Sequence, residues 1–155
     1  MIRNKKIVYF NDDFEFKKIP NSKVIFTNGC FDILHFGHLS ILEQAKKLGD
    51  FLIVGLNSDI SVKKIKGDSR PINSEEFRST ILSFFEIVDL VVIFDEDTPL
   101  ELIKLLNPDL IVKGGDYTSD SIVGREIVEE RGGKVVVLPT VEGYSTTSII
   151  NKIKS

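Results

Sequence analysis

The chain's two histidines, His35 and His38, stand three positions apart with Gly37 between them, in a run Thr27-Asn28-Gly29-Cys30-Phe31-Asp32-Ile33-Leu34 leading out of an apolar segment. At i and i+3 two imidazoles share one face of a forming helical turn, and the glycine lets a ligand approach the backbone closely. A helix N-terminus presents unpaired N–H groups and the positive end of the macrodipole, so the expected guest is an anion, and specifically a phosphate chain. Histidines at this spacing also serve as metal ligands or as ordinary polar residues at a helix start. A zinc site needs three or four ligands. With no third histidine and Cys30 the only cysteine, the remainder would have to be carboxylates.

Neither G-x-G-x-x-G after a strand nor G-x-x-x-x-G-K-[ST] occurs, so the phosphates must be held in another way. Three further segments offer means. Lys63, Lys64, Lys66 and Arg70 fall in or beside the punctuated stretch Lys66-Gly67-Asp68-Ser69-Arg70-Pro71. It reads as a mobile cationic flap over the site or as a solvated loop, with Arg70 the residue suited to bridging a phosphate bidentately. Lys113-Gly114-Gly115-Asp116 follows a strand and is either a phosphate- or ribose-holding turn or a plain strand end. Glu142-Gly143-Tyr144-Ser145-Thr146-Thr147-Ser148 offers four hydroxyls in succession at a helix start, where capping needs one.

The elements that must position these residues alternate. Val24-Ile25-Phe26-Thr27 reads as a buried strand stopped by Asn28-Gly29, and Leu39, Leu42, Ala45 and Leu48 then recur at helical spacing up to Gly49. Residues 51–56 are continuously apolar, as in a parallel strand covered on both faces. Asn73 and Glu76 suggest a capping box, with Phe77, Ile81, Phe84, Phe85 and Val88 as the buried face of the helix that follows. A strand over 90–94 leads to a helix opened by a Thr98 cap, Pro99 and Glu101, and a strand over 110–112 follows. A helix over 122–131 ends at Gly132-Gly133, a strand spans 134–138, and a last helix starts at Ser145 with Ile149, Ile150 and Ile153 on its apolar side. The fold class is therefore α/β, a Rossmann-like open parallel sheet with helices on both faces. Ligands of such sheets bind beyond the carboxyl ends of the strands, where Asn28, Asn57, Lys113 and Thr140 should converge. Residues 1–22 lack clean periodicity apart from a candidate strand over 7–10, so they read as an extension of uncertain structure before a domain over 23–155.

A chain of 155 residues fits one domain. A formal net charge of −3 offers no bulk basicity for nucleic acid. No stretch approaches the ~18 apolar residues of a membrane span. One cysteine and a first segment without an apolar core suit the cytoplasm.

Taken together, the segment from Gly29 to His38 and the late Glu142-Gly143-Tyr144-Ser145-Thr146-Thr147 resemble the two signature motifs of the HIGH-motif nucleotidyltransferases, which include the cytidylyltransferases. The resemblance covers about residues 23–153. Within that superfamily, Lys66-Gly67-Asp68-Ser69-Arg70-Pro71-Ile72-Asn73, Asp95-Glu96-Asp97-Thr98-Pro99 and Lys113-Gly114-Gly115-Asp116-Tyr117 resemble the adenylyltransferase domain of the ADP-heptose pathway. That resemblance implies adenylyl transfer from ATP, with Mg2+, to D-glycero-β-D-manno-heptose 1-phosphate, without a covalent enzyme intermediate. It also implies a kinase step on another chain, and a product destined for a lipopolysaccharide, surface-layer glycan or capsule.

By the same likeness His35, His38 and Lys66 act on the triphosphate, with the histidines stabilising charge as the α–β bridge breaks. Asn28, Gly29, Cys30, Phe31, Gly37, Lys113, Gly114, Asp116, Thr140, Glu142, Gly143, Ser145, Thr146 and Thr147 bind the nucleotide. Asp32, Asn57, Asp59, Arg70 and Arg78 serve the sugar phosphate, with Asp32 orienting either a histidine or the sugar. No protein ligand to a metal is assigned, and a homodimer fits the likeness. Two positions depart from the wider superfamily, which often has a basic residue at Ile150 and in some cytidylyltransferases arginine at Thr140. The heptose subgroup accepts isoleucine at the first. Glycerol-3-phosphate cytidylyltransferase, FMN adenylyltransferase and a non-catalytic nucleotide-binding module are the alternative readings. An aminoacyl-tRNA synthetase fragment lacks support, because its lysine-rich second motif is missing.

Overall fold

The computed structural model describes residues 4–115 and 117–155. Its strands are β1 (Ile7–Tyr9), β2 (Val24–Gly29), β3 (Phe51–Asn57), β4 (Leu90–Phe94), β5 (Leu110–Gly114) and β6 (Lys134–Leu138). The helices are α1 (Phe36–Lys46), α2 (Asp59–Lys66), α3 (Glu75–Phe84), α4 (Leu100–Leu106), α5 (Arg125–Glu130) and α6 (Thr146–Lys154). All strand pairs are parallel, in the order β1-β4-β3-β2-β5-β6. The chain builds outward from β2 through β3 and β4, then returns to place β5 and β6 on the other side. The order therefore reverses between β2 and β5, the crevice where open α/β sheets take their ligands.

The apolar runs are continuous because each strand has two buried faces. On one face Ile25, Leu52, Val54, Leu56, Val91 and Val112 pack with Leu42 and Ala45 of α1 and Leu82 of α3. On the other, Val24, Phe26, Ile53, Val92 and Ile111 pack with Leu102, Ile103 and Leu106 of α4 and Val128 of α5. Alternate residues of β2 thus serve opposite cores.

Several elements differ from the sequence reading. Residues 7–9 join the sheet as its edge strand beside β4, so the domain begins before residue 23. Lys63, Lys64 and Lys66 ride on α2 and not on a flap. Ser58 caps that helix by accepting from the amide of Ser61, and Gly67, at φ +91°, ends it. Ser74, and not Asn73, caps α3. The buried face of α3 is also rotated by one residue: Arg78, Ser79, Leu82 and Ser83 turn inward while Phe77 and Phe84 are 51% and 66% exposed. Periodicity of apolar residues cannot register an inward-facing arginine, and the guanidinium of Arg78 sets the phase here. Thr98 makes no cap for α4, whose N-cap is Pro99. A 3-10 turn at Ser119–Ser121 and Gly124 at φ +85° delay α5 to Arg125. Ile153 of α6 is exposed.

Candidate active site

β2 delivers the chain to the switch point, and the loop after it leads into α1. His35 is the N-cap of α1 in extended backbone, and His38 is its third helical residue. The backbone N–H of His35 donates to Nδ1 of His38 at 3.3 Å. That bond assigns Nδ1 of His38 as acceptor and leaves Nε2–H as the donor of a neutral ring. The two imidazoles stack with centroids 3.8 Å apart, and Phe31 lies 5.2 Å from His38. A Cβ at Gly37 would stand 3.0 Å from the His35 ring, so this position excludes a side chain if the ring is to stay.

Electrostatics hold both rings neutral. Burial, the neighbouring His35 and the charge of Lys66 push His38 down to about 4, and burial lowers His35 as well. Neutral imidazoles beside a helix N-terminus present donors without a resident counter-ion, which favours an incoming anion. Nδ1 of His35 is buried and has no partner among the described residues.

These side chains open onto a cavity of about 250 Å³ between the ends of β2 and β5. Asn28, Gly29, Cys30, Phe31, His35, Gly37 and His38 line one side of it, and Lys113, Gly114 and Thr140 the other. Lys113 is the cavity's cation. Burial pushes its ammonium down to about 8, it donates to the carbonyl of Asn28 at 3.3 Å, and it lies 5.8 Å from the centre of the Tyr117 ring. No carboxylate of the described residues lines this cavity. A Cβ at Gly114 would meet Ile41 Cδ1 at 2.0 Å, so any side chain there forces Ile41 to turn away from the cavity wall it forms.

The late segment reaches the same place by a different route. Thr146 donates its hydroxyl to the carbonyl of Ile33 at 3.2 Å, which docks the start of α6 on the turn before His35. Ser145 is occupied as N-cap, accepting from the amide of Ser148. Glu142, Gly143, Ser145 and Thr147 are exposed beside the cavity's Tyr144 without lining it. Asp116 lies outside the described residues.

The acceptor-side expectations fare unevenly. Arg78 cannot contact a substrate: its side chain is fully buried, and it donates to the carbonyls of Asn73, Cys30 and Asn57 and to Asp59 at 2.7–2.9 Å. Asp32 is likewise closed off. It accepts from Arg70 Nε at 2.6 Å and from the amides of Ile72 and Asn73 at 2.9 Å, so it orients neither histidine. Burial raises its carboxyl, but those hydrogen bonds outweigh it and hold the group below the ordinary value. Asn57 is buried and spends its amide on Ser61. Asp59 keeps a third of its side chain exposed, whereas Arg70 is mostly enclosed. Lys66 is exposed and reaches His38 through its charge.

Sequence reasoning missed Thr27, Ile41 and Tyr117 as cavity walls, whereas Val141 and Tyr144 fall in the 140–147 segment expected to line the nucleotide. Ile41 follows His38 by three residues on one helix face, a signal that was available. Tyr144 stands inside the hydroxyl-rich motif and stacks on Phe36 at 5.6 Å.

A parallel sheet whose switch point carries a histidine pair at a helix N-terminus, faced by a partly buried lysine, defines a nucleotide-handling α/β domain of the nucleotidyltransferase type. The chain belongs to the Cytidylyltransferase-like family, whose model matches residues 26–152. It is 61% identical over 131 residues to the Bifunctional protein HldE of Campylobacter fetus subsp. fetus (strain 82-40), covering 84% of this chain and 28% of that protein. It is 57% identical over 150 residues to the Bifunctional protein HldE of Campylobacter jejuni subsp. doylei, covering 97% of this chain and 32% of the relative. The chain thus spans about a third of the length of these relatives. Among solved structures, the lipopolysaccharide core biosynthesis protein from Thermoplasma volcanium GSS1 superposes with a TM-score of 0.64 at 27% identity, covering 80% of this chain and 99% of that one. A pantoate-beta-alanine ligase from Francisella tularensis, at 18% identity and a TM-score of 0.59, shares the fold, with 88% and 71% of the two chains covered.

Proposed function

We propose that the domain transfers the adenylyl group of ATP to D-glycero-β-D-manno-heptose 1-phosphate, giving ADP-heptose and pyrophosphate. The observation that carries this reading is the cavity at the switch point, where neutral imidazoles and a partly buried lysine converge with no carboxylate lining among the described residues. Membership of the family and the relatives named Bifunctional protein HldE support it. The subgroup strings around Lys66, Asp95 and Lys113 favour the heptose acceptor over other members of the fold.

In this reading a phosphate oxygen of the sugar attacks the α-phosphorus. The bond to the bridging oxygen breaks, and its electron pair leaves with pyrophosphate. The residues contribute placement and charge stabilisation, with no covalent intermediate. His38 offers Nε2–H to the charge growing on the bridge, His35 sits beside it at the helix N-terminus, and Lys113 and Lys66 offset phosphate charge. The cavity of about 250 Å³ falls below the ~300–1,000 Å³ typical of ligand pockets, so a nucleoside triphosphate would extend along its rim towards the start of α6. There Ser145, Thr146, Thr147, Glu142 and Gly143 would meet it. Asp59 and Arg70 have polar atoms left for the sugar.

Among the described residues no group of three or more His, Cys, Asp or Glu could hold a metal. The Mg2+ of this reading arrives with ATP, held by phosphate oxygens and water. No helix of the described residues is long and apolar enough to cross a membrane, and the unpaired Cys30 suits a reducing cytoplasm.

A homodimer belongs to the same reading. Phe36, Leu39 and Phe77 line one apolar groove, and Phe84 continues the stripe along α3. Their exposed surface is on the order of 400 Å², within the range of the largest patch on a monomer, so size alone does not mark an interface and the solution state decides. Light scattering should give a dimer for the wild type and a monomer for Phe77→Glu/Phe84→Glu, and a monomeric wild type removes this part. The catalytic test follows pyrophosphate with heptose 1-phosphate plus ATP, glycerol 3-phosphate plus CTP, and FMN plus ATP. Release with the first pair alone is expected. Release with another pair reassigns the acceptor or base, and ATP binding without release from any pair points to a non-catalytic module.

A further inference from the structure

We infer that Arg78 is a positioning residue of the active site: from inside the fold it holds the turn of Cys30, Phe31 and Asp32 in the conformation that seats His38. Phe31 is the strained member of that turn. Its φ of +45° lies in the left-handed region, which a bulky residue occupies only where its surroundings over-determine it. The ring is wedged, with its edge 3.1 Å from where a Cβ of Gly29 would stand and its centre 5.2 Å from that of His38. Packing of this kind keeps the His38 ring where Nδ1 meets the His35 amide.

The over-determination comes from two sides. Ahead of Phe31, one Arg78 nitrogen, Nη1, takes the carbonyls of both Cys30 and Asn57 at 2.7 Å, tying the turn to the end of β3. Behind Phe31, the carbonyl of Asp32 accepts from the Asn73 side chain at 2.7 Å, and the Asp32 carboxylate takes the amides of Ile72 and Asn73. Arg78 closes the circuit, because its Nε donates to the Asn73 carbonyl at 2.9 Å while Nη2 pairs with Asp59 at 2.8 Å. A planar fork with fixed donors can bind three carbonyls and a carboxylate at once, which a lysine ammonium on a flexible stem cannot match. The guanidinium touches none of the cavity lining except through Cys30, so its influence on the reaction passes through the turn.

The test compares Arg78→Lys with Asn73→Ala in the full chain. Asn73→Ala loosens the same circuit and leaves the buried guanidinium paired, so it keeps the question open to measurement if Arg78→Lys fails to fold. His38 is followed by imidazole NMR titration, ATP affinity by calorimetry and turnover by pyrophosphate release. Turnover is expected to fall about 10–100-fold in Arg78→Lys, as for a catalytic group displaced by an ångström or less, with ATP affinity changed by less than roughly threefold. The His38 midpoint should rise from about 4 towards its ordinary 6.5. Asn73→Ala should move the same readouts in the same direction by less. An unchanged His38 titration in the folded variants, or a turnover loss explained by weaker ATP binding alone, overturns the inference. The turnover arm rests on the adenylyl-transfer reading and the titration arm does not. A wild type that releases no pyrophosphate while its variants shift His38 sinks that reading and leaves the positioning role standing.

Discussion

At the scale of single residues, His38 is the side chain on which most depends. In the proposed reaction its Nε2–H meets the charge appearing at the bridging oxygen, so His38→Ala should lower turnover on the order of 10²-fold or more, as for loss of one transition-state donor. Turnover near the wild-type rate in a folded His38→Ala protein would refute that role. The same ring shapes stability. Folded His38 takes a proton only near 4 while in the unfolded chain it does so near 6.5, so between these values the unfolded state binds the extra proton. Stability should therefore decline as pH falls from about 6.5 towards about 4, with His35, also lowered by burial, adding to the decline below 6.5. Asp32 acts lower: its contribution is complete above 3.8 and is lost as pH falls through its depressed folded value. Melting temperature against pH should show the first decline in the wild type and a shallower one in His38→Gln. A wild type whose melting temperature stays flat between those values contradicts the burial of this imidazole. The histidine pair was legible in the sequence because spacing and a glycine advertise it. The roles of Arg78 and Asp32 were not, since most of their partners are backbone groups up to 48 residues away.

At the scale of elements, helix α3 separates what periodicity can and cannot tell. Leu82 is fully buried and Phe84 is two-thirds exposed, although the apolar pattern put the phenylalanines inside. Leu82→Ala should destabilise by about 2–5 kcal/mol. Phe84→Ala should stay within roughly 0.5 kcal/mol, as expected of an exposed position. Denaturant unfolding of the two variants measures the difference, and the reverse order would restore the face expected from sequence. The five central and outer strands were readable because runs of Val, Ile, Leu and Phe covered on both faces leave little else for the chain to be. Helix α2 was obscured by its lysines, which mark a solvated face equally well in a loop. The edge strand β1 was legible as a candidate over 7–10, but three residues carry no signal for which strand they pair with.

At the scale of the whole molecule, fold and site are two views of one topological fact. The order reversal between β2 and β5 opens the crevice, and the segments after β2, β5 and β6 line it. A ligand that binds only the folded form stabilises it by mass action, about 2.7 kcal/mol at 100 times its dissociation constant. ATP should therefore raise the melting temperature of the wild type, and Lys113→Ala should abolish most of that rise; an equal rise in both would remove Lys113 from the nucleotide's surroundings. The α/β class followed from alternation alone. The meeting of Asn28, Lys113 and Thr140 followed from the strand ends, whereas Asn57 turned inward to Ser61, and the docking of the late segment on the histidine turn across 113 residues, by Thr146 on Ile33 and Tyr144 beside Phe36, left no mark in the local pattern.

The low proton affinity of Lys113 has a use at the bench. An amine that is half deprotonated near pH 8 is a nucleophile under conditions in which lysines at the ordinary 10.5 are almost wholly masked by their protons. A slender acylating reagent applied at that pH should mark this one position ahead of the surface lysines. Protection by added nucleotide would then turn a mass spectrum into a direct reading of who occupies the crevice.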